Sequence, residues 1–302
     1  MKVAVGKLAQ RNAGWDERQT LKVLREQSPH AAGYRHICHL LDDFVVDGPH
    51  GSHTCLVTEA MGATAFDLFR CVSSALPLFL VKRISKHILL ALQYMHECDI
   101  VHTDLKGDNI SMNGAPPPIY PQSTKLQENE LLDATFKLSD MGSANKMSIR
   151  FAPLIQPEDL RSPEVILGAE WDTKADIWNF GCLMYEFLRG TSLFNPYARI
   201  KESRLNRYQN HLAQMVGLLG DFPSNLLDRA KDAQDYFDEK GQLVHGAGQY
   251  KITLEDLLSG TSSKLEDVLL TADFLSQTLT IDPEKRWSAS RLLQHPWLKG
   301  VV

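Results

Sequence analysis

The sequence predicts an α+β fold of two lobes, a small lobe rich in β-strands followed by a larger, mainly helical lobe. Apolar residues alternate at the amino end and an apolar run follows at Cys55–Gly62, two patterns typical of strands. A wide apolar stripe at helical spacing lies between residues 80 and 95, and helical patterns follow one another from Lys174 onward. A small β-rich front followed by a large helical back indicates an α+β protein of two lobes.

The predicted small lobe covers residues 1–60. The stretch "MKVAV" predicts a strand, and "WDERQTLKVLRE" predicts a helix that carries Leu21 and Leu24 on one face. The stretch "CLVTEAMG" is typical of a buried strand that ends at a glycine. We expect residues 1–60 to be the remnant of a small lobe and residues 61–302 to form the large lobe, within one domain overall.

The large lobe is expected to begin with a long helix. Its apolar residues recur at helical spacing at Leu80, Ile84, Ile88, Leu92 and Met95. After the helix, "NISM" and "FKLSD" predict a short pair of strands. The stretch between them carries four prolines and a polar tail, which predicts a surface insertion.

Composition limits the possible functions and locations. A formal net charge of -5 argues against direct nucleic-acid binding, and no apolar run is long enough to span a membrane. The amino end is too polar for a secretory signal. Five scattered cysteines without a Cys-x-x-Cys pair are typical of a reducing compartment. We therefore expect the cytoplasm, the nucleus or both, with no membrane partner. A monomer is the expected oligomeric state.

Charged and amide side chains cluster in "IVHTDLKGDNISM", within a frame of apolar residues. Asp104 and Asn109 are five positions apart with Lys106 between them, and Asp140 follows the next predicted strand. Phosphoryl transfer requires such groups: a carboxylate for the attacking hydroxyl, oxygen ligands for magnesium and a cation for the phosphoryl group. A polar turn after a helix and a small-molecule phosphotransferase remain alternatives at this point.

Three further motifs follow in a fixed order. They are "RSPEVILG", "KADIWNFGC" and "DPEKRW". With the catalytic-type loop and "SDMG", they make the sequence resemble the eukaryotic protein kinases over essentially its whole length. Small-molecule phosphotransferases are not expected to carry these three motifs.

The resemblance narrows to the SR-protein kinases, and to their fungal branch in particular. The stretches "HTDLKGDNI" and "TIDPEKRWSASRLLQHPWL" carry it. It implies a serine/threonine protein kinase fold and activity, with ATP and Mg²⁺ as cofactors. The implied partner is a protein substrate, with arginine–serine-rich tracts as the specific expectation.

The resemblance also implies roles for individual residues. Asp104 would deprotonate the substrate hydroxyl and Lys106 would contact the γ-phosphate. Asn109 and Asp140 would bind magnesium. Lys2 matches the strand lysine that holds the α- and β-phosphates.

The implied helical partner of Lys2 is Glu17. Lys7 is the alternative for the strand lysine. The spacing between the lysine and Glu17 favours Lys2. The segment that contacts adenine, called the hinge below, would be Glu59–Met61, with Glu59 and Met61 supplying backbone groups. Ser111 stands where relatives place an apolar residue under the base.

Two expectations concern the structure behind the site. Glu164 and Arg286 would form a buried ion pair, and Asp176 would hold the backbone of the catalytic loop. Thr103 stands where many kinases place the arginine that pairs with a phosphate on the activation segment. A threonine cannot make that bidentate charged contact. The resulting hypothesis is that activity does not depend on phosphorylation of this segment.

A glycine-rich phosphate loop is the one family motif that the sequence lacks. No Gly-x-Gly-x-x-Gly precedes Lys2. The expectation from this is a truncated small lobe and weak or no activity for this chain by itself. The alternative function is a pseudokinase scaffold that binds partners without catalysis. Because Asp104, Lys106, Asn109 and Asp140 are all present, kinase chemistry is favoured.

Overall fold

The structure, a computed structural model, divides the chain into two compact units. The first contains Met1–Val72 and Ile84–Phe151, and the second contains Ser73–Arg83 and Ala152–Val302. The α+β class is confirmed, and the predicted lobe boundary at residue 60 stays a prediction. The described residues are 2–4, 15–49, 51–72, 75–113, 131, 133–149, 154–198, 205–245, 252–262 and 264–302.

Short antiparallel sheets occupy the first unit. Within the described residues, one sheet has the order β1-β3-β2, a second has the order β4-β6-β7, and β5 pairs with β8. The strands are β1 Lys2–Ala4, β2 Leu40–Gly48, β3 Gly51–Thr58, β4 Met61–Thr64, β5 Ile100–Val101, β6 Ile110–Asn113, β7 Phe136–Leu138 and β8 Asn145–Lys146.

Of the helices in the described residues, the first two and most of the third belong to the first unit, and the others belong to the second unit. The helices are α1 Glu17–Glu26, α2 Ala65–Cys71, α3 Leu78–Glu97, α4 Pro163–Ile166, α5 Lys174–Arg189, α6 Arg207–Leu219, α7 Ser224–Leu227, α8 Leu254–Leu258, α9 Leu265–Thr278 and α10 Ala289–Leu292. The long predicted helix is confirmed as α3. Within the described parts of the chain, no helix has both the length and the apolar character needed to cross a bilayer.

The first helix, α1, begins at a capping box. The Asp16 side chain accepts a hydrogen bond from the Gln19 N–H, and the Gln19 side chain accepts one from the Asp16 N–H. Two donors that the first turn leaves without helical partners are thereby satisfied. Leu21 and Leu24 are buried, as their spacing predicts. The cap and the apolar face together fix where the helix begins and which side faces the core.

The predicted strand "CLVTEAMG" is two strands in two different sheets. β3 ends at Thr58 and β4 begins at Met61. The Glu59 N–H donates to the His39 carbonyl at 3.1 Å, next to the Leu40–Thr58 pair of β2 and β3. From Met61 the chain pairs with β6 instead. The prediction of one continuous strand is therefore wrong, and the break lies within the predicted hinge.

The predicted pair of short strands is confirmed as β6 and β7. Ile110 pairs with Leu138 and Ser111 with Lys137. The predicted insertion between these strands lies largely outside the described residues, over 114–130, and so does Lys7. One sheet joins β4, β6 and β7. The predicted hinge leads into β4, the loop with Asp104 leads into β6, and Asp140 follows β7. The sheet therefore brings these three predicted functional segments to one place.

The predicted Glu164–Arg286 ion pair is confirmed in the second unit. Both side chains are fully buried, and Arg286 donates to the two Glu164 oxygens at 2.7 and 2.9 Å. Its remaining N–H groups reach the carbonyls of Lys174, Thr280 and Ile281. All five guanidinium donors are therefore bonded, which is the condition under which a buried charge is tolerated.

A buried histidine in the second unit has no hydrogen-bond partner for either ring nitrogen among the described residues. His211 lies on α6 and packs against Phe194, with ring centroids 5.4 Å apart. Phe194 in turn stacks on Trp178. Burial, with the charge of Arg161, lowers the pKa of His211 from 6.5 to about 3. The folded protein therefore holds this imidazole in its neutral form.

This burial predicts a loss of stability in mild acid. The unfolded chain takes up a proton on His211 below pH 6.5, while the folded chain takes it up only near pH 3. Between these values each unit fall in pH removes stability, about 2 kcal/mol in total at pH 5. We expect His211→Leu to reduce the difference in unfolding free energy between pH 7.5 and pH 5, measured by urea denaturation. An unchanged difference would contradict this origin of the acid sensitivity.

Candidate active site

All eight predicted site residues lie in the first unit, and three of them form one ionic cluster. The Lys2 ammonium on β1 lies 2.8 Å from the Glu17 carboxylate at the start of α1. The same ammonium lies 2.7 Å from Asp140 Oδ1, beyond the end of β7. Lys2 therefore joins a strand, a helix and a loop that are distant in sequence.

The ionisation of this cluster follows from its contacts. Burial alone would lower the pKa of Lys2, but its hydrogen bonds to Asp140 and Glu17 outweigh this and raise that pKa. Burial would raise the pKa of Asp140, but the Lys2 ammonium and the Gly142 N–H lower it overall. Asp140 is thus an ionised carboxylate across the neutral pH range.

Gly142 is held close to the cluster. Its N–H donates to Asp140 Oδ1 at 3.3 Å. A Cβ atom at this position would lie 3.1 Å from Asp140 Oδ1 and 3.2 Å from Lys2 Nζ, closer than most real Cβ contacts. The glycine in "SDMG" therefore leaves room for the ammonium to reach the carboxylate.

A second group of site residues surrounds Asp104. Lys106 Nζ donates to Asp104 Oδ2 at 2.8 Å. The Asn109 amide donates to the Asp104 carbonyl at 2.8 Å and to Oδ2 at 3.3 Å. Asn109 belongs to a 3-10 turn that leads directly into β6, so the strand fixes its position.

His102 ties this loop to the segment before Asp140. Its ring is fully buried. Nδ1 accepts a hydrogen bond from the Asp104 N–H, and Nε2 lies 3.1 Å from the Ser139 carbonyl, to which it donates in the corresponding tautomer. The Ser139 N–H in turn donates to the Asn109 carbonyl at 2.8 Å. These bonds hold Asp104, Asn109 and Asp140 in one region.

The two groups of residues also interact electrostatically. The hydrogen bond that Lys106 donates to Asp104 raises the pKa of Lys106, against an opposing effect of burial, and the charge of Asp140 adds to the rise. Two ammonium groups, three carboxylates and an amide thus lie together. Such an arrangement can bind a polyanion and accept a proton from a hydroxyl group.

The oxygen donors here suit magnesium. Asp140 offers a carboxylate and Asn109 an amide oxygen, the hard ligands that Mg²⁺ prefers. Among the residues that the structure describes, no three His, Cys, Asp or Glu side chains form a metal-binding group. Magnesium in phosphotransferases takes few protein ligands and completes its shell with substrate phosphates and water, so this donor set fits.

The predicted hinge contains a contact that the sequence pattern did not reveal. Lys137 Nζ on β7 lies 2.6 Å from Glu59 Oε2. The same carboxylate oxygen accepts the His39 N–H at 3.2 Å. Met61 begins β4, whose partner β6 carries the buried Ser111. A lysine within the short apolar strand "FKL" was the only sequence signal for this pair.

Thr103 makes a second contact that sequence reasoning missed. Its φ is 65°, which is rare for a β-branched residue. Its hydroxyl donates to the Ser143 carbonyl at 2.6 Å, and the side chain is buried. The threonine therefore connects the catalytic-type loop to the segment after Asp140 through a neutral hydrogen bond.

The comparison with known proteins gives one consistent result. The protein kinase domain model matches residues 1–298. Over 333 aligned residues the chain is 29% identical to the serine/threonine-protein kinase SRPK of Physarum polycephalum, across 96% of this chain and 77% of that protein.

Two further relatives agree. Protein kinase dsk1 of Schizosaccharomyces pombe is 26% identical over 97% of this chain and 74% of its own length. Serine/threonine-protein kinase AFC3 of Arabidopsis thaliana is 32% identical over 82% of this chain and 64% of its own length. The chain belongs to the protein kinase domain family and is similar to its SR-protein kinase-like members.

Proposed function

We propose that this serine/threonine protein kinase transfers the γ-phosphate of ATP to a protein hydroxyl at the site around Asp104 and Asp140. The observation that carries the proposal is the convergence of two ionic groups, Lys2 with Glu17 and Asp140, and Lys106 with Asp104. Both groups contain the residue types that phosphoryl transfer requires.

Asp104 has the geometry of a proton acceptor. Lys106 and Asn109 both donate to one of its oxygens, Oδ2. We assign the other oxygen, Oδ1, to the substrate hydroxyl. The oxygen of the substrate hydroxyl attacks the γ-phosphorus while its proton passes to Asp104. The bond between the γ-phosphorus and the oxygen that bridges it to the β-phosphate breaks, which releases ADP. Lys106 stabilises the negative charge of the transferred group.

Asn109 and Asp140 would hold magnesium. When bound, the ion supplies positive charge that neutralises the phosphate oxygens. Lys2, held by Glu17 and Asp140, orients the α- and β-phosphates. The backbone carbonyl of Glu59 and the N–H of Met61 bind the adenine edge. Each role follows the family resemblance.

The substrate class is part of the proposal. The similarity to SRPK and dsk1 supports arginine–serine-rich protein segments, and the net negative charge of the chain suits a basic substrate. All five cysteines are free thiols, which suits the cytoplasm or the nucleus. We propose that the kinase acts there as a monomer.

The scaffold alternative has no support in the comparisons. The relatives are named as kinases. Lys2, Asp104, Asn109 and Asp140 are also present in this chain. Catalysis is therefore the function that we propose.

The direct test of this proposal is a transfer assay with an arginine–serine repeat peptide and Mg²⁺–ATP. Because the relatives are named as kinases, we expect the wild-type chain to phosphorylate the peptide, against the sequence-based expectation of weak or no activity. Asp104→Asn should lose activity by about 10²- to 10⁴-fold, the usual effect of removing a general base. The matched control is Asp108→Asn, an exposed carboxylate of the same loop, which should retain activity. Equal activity of wild type and Asp104→Asn would contradict the proposal.

The segment after Asp140 is held by hydrogen bonds without a phosphate. Thr103 bonds to Ser143 in the first unit. In the second unit the Gln156 side chain accepts from the Ser162 N–H and hydroxyl and donates to the Ala175 carbonyl at 2.7 Å. Ser162 is fully buried, so a kinase cannot reach it in the folded protein.

These bonds predict activity without phosphorylation of the segment. Treatment of the purified protein with a phosphatase, followed by removal of the phosphatase, should leave the transfer rate unchanged within about twofold, since no phosphate–arginine pair is needed. Thr103→Val, which keeps the shape but removes the hydroxyl, should lower the rate. Loss of activity after dephosphorylation of the wild type would refute the hypothesis.

A further inference from the structure

The ion pair between Lys137 and Glu59 has no part in the transfer roles assigned above. Its side chains are 7% and 27% exposed, respectively. Lys137 pairs in register with Ser111, and residues in register on antiparallel strands project on the same face of the sheet. The ammonium therefore reaches the hinge from the strand that leads to Asp140.

The Glu59 side chain is fixed on two sides. Lys137 on β7 donates a hydrogen bond to it. His39, the residue before β2, donates a second one through its N–H, with a length of 3.2 Å. The Glu59 N–H bonds to the His39 carbonyl, so the contact with His39 runs in both directions. Glu59 and the residue after it lie between the end of β3 and the start of β4. The path of the hinge backbone thus depends on these Glu59 contacts.

The burial of the pair makes this contact persistent. An ammonium that is 7% exposed has little water to replace its carboxylate partner, so separating the two groups is unfavourable. Salt screens buried pairs much less than exposed ones. The Lys137 side chain is therefore more buried than that of Lys2, which is 46% exposed and which nearby ions and ligands can reach.

We propose that Lys137 is a positioning residue for the nucleotide base: it holds Glu59 so that the backbone groups of Glu59 and Met61 present one fixed edge to adenine. This inference rests on the proposed function, because it takes the hinge as the site of base binding. Asp104, Lys106 and Asn109 form their own contacts without Lys137. Loss of Lys137 should therefore weaken nucleotide binding and spare the transfer step.

The test measures the KM for ATP and kcat separately for the Lys137→Met variant. We expect the KM for ATP, and the Kd for Mg²⁺–ADP measured by calorimetry, to rise about tenfold, while kcat at saturating ATP stays within about twofold. Lys137→Arg should restore part of the affinity, and Glu59→Gln should weaken it in the same direction. The matched control is Lys22→Met, which removes a lysine paired with Asp43 in the same unit and should change neither constant.

Each outcome decides the inference. An unchanged KM for ATP in folded Lys137→Met, or a fall in kcat alone, would overturn the positioning role. If Lys137→Met does not fold, the double variant Lys137→Met with Glu59→Met removes both charges together and carries the same expected rise in KM. A wild-type chain that neither binds Mg²⁺–ATP nor transfers phosphate would refute the proposed function and this inference with it. If the wild type is active and Lys137→Met has an unchanged KM for ATP, this inference alone is refuted.

Discussion

The Lys2 ammonium is the interaction on which the rest of the site depends. Lys2 lies on β1, and its ammonium contacts Glu17 on α1 and Asp140 in the loop after β7. The loop after β7 is in turn bonded to the catalytic-type loop through Ser139, Asn109 and His102. A change in the position of the Lys2 ammonium would therefore alter its contacts with Glu17 and Asp140 and, through Ser139, the loop that carries Asn109.

The ion pairs of this protein fall into two kinds with different physical consequences. The pairs around Lys2 are partly exposed, and such pairs contribute about 0–1 kcal/mol each to folding. They determine geometry and local charge more than stability. The Glu164–Arg286 pair is fully buried and bonded at every donor, so loss of one partner would leave an uncompensated charge in the core. The folded state thus depends on the Glu164–Arg286 pair, whereas the pairs around Lys2 shape the site of phosphoryl transfer.

The sequence was sufficient for the fold class and the principal helices, and the roles of the site residues stay predictions. Asp104, Lys106 and Asn109 lie within one short segment, so their spacing alone indicated their proximity. The pairing of Lys2 with Glu17 followed from family resemblance, and the structure places the two side chains in contact. Glu164 and Arg286 were likewise paired from motifs 122 positions apart.

The contacts that sequence reasoning missed depend on tertiary packing. Glu59 and Lys137 are 78 positions apart, and the apolar run around Glu59 gave no sign that a strand ends there. The positive φ of Thr103 and the burial of His211 have no local pattern that predicts them. These three features are determined by residues that are distant in sequence and come into contact only when the chain folds.

The measurement that tests the central role of Lys2 most directly is the affinity of Mg²⁺–ATP for wild type and Lys2→Met, by calorimetry, alongside the thermal midpoint of each. Because the Lys2 pairs are half-exposed, we expect the midpoint to change little while affinity falls by at least about tenfold. Equal affinity in a folded Lys2→Met variant would show that the bridge to Glu17 and Asp140 does not organise the nucleotide site.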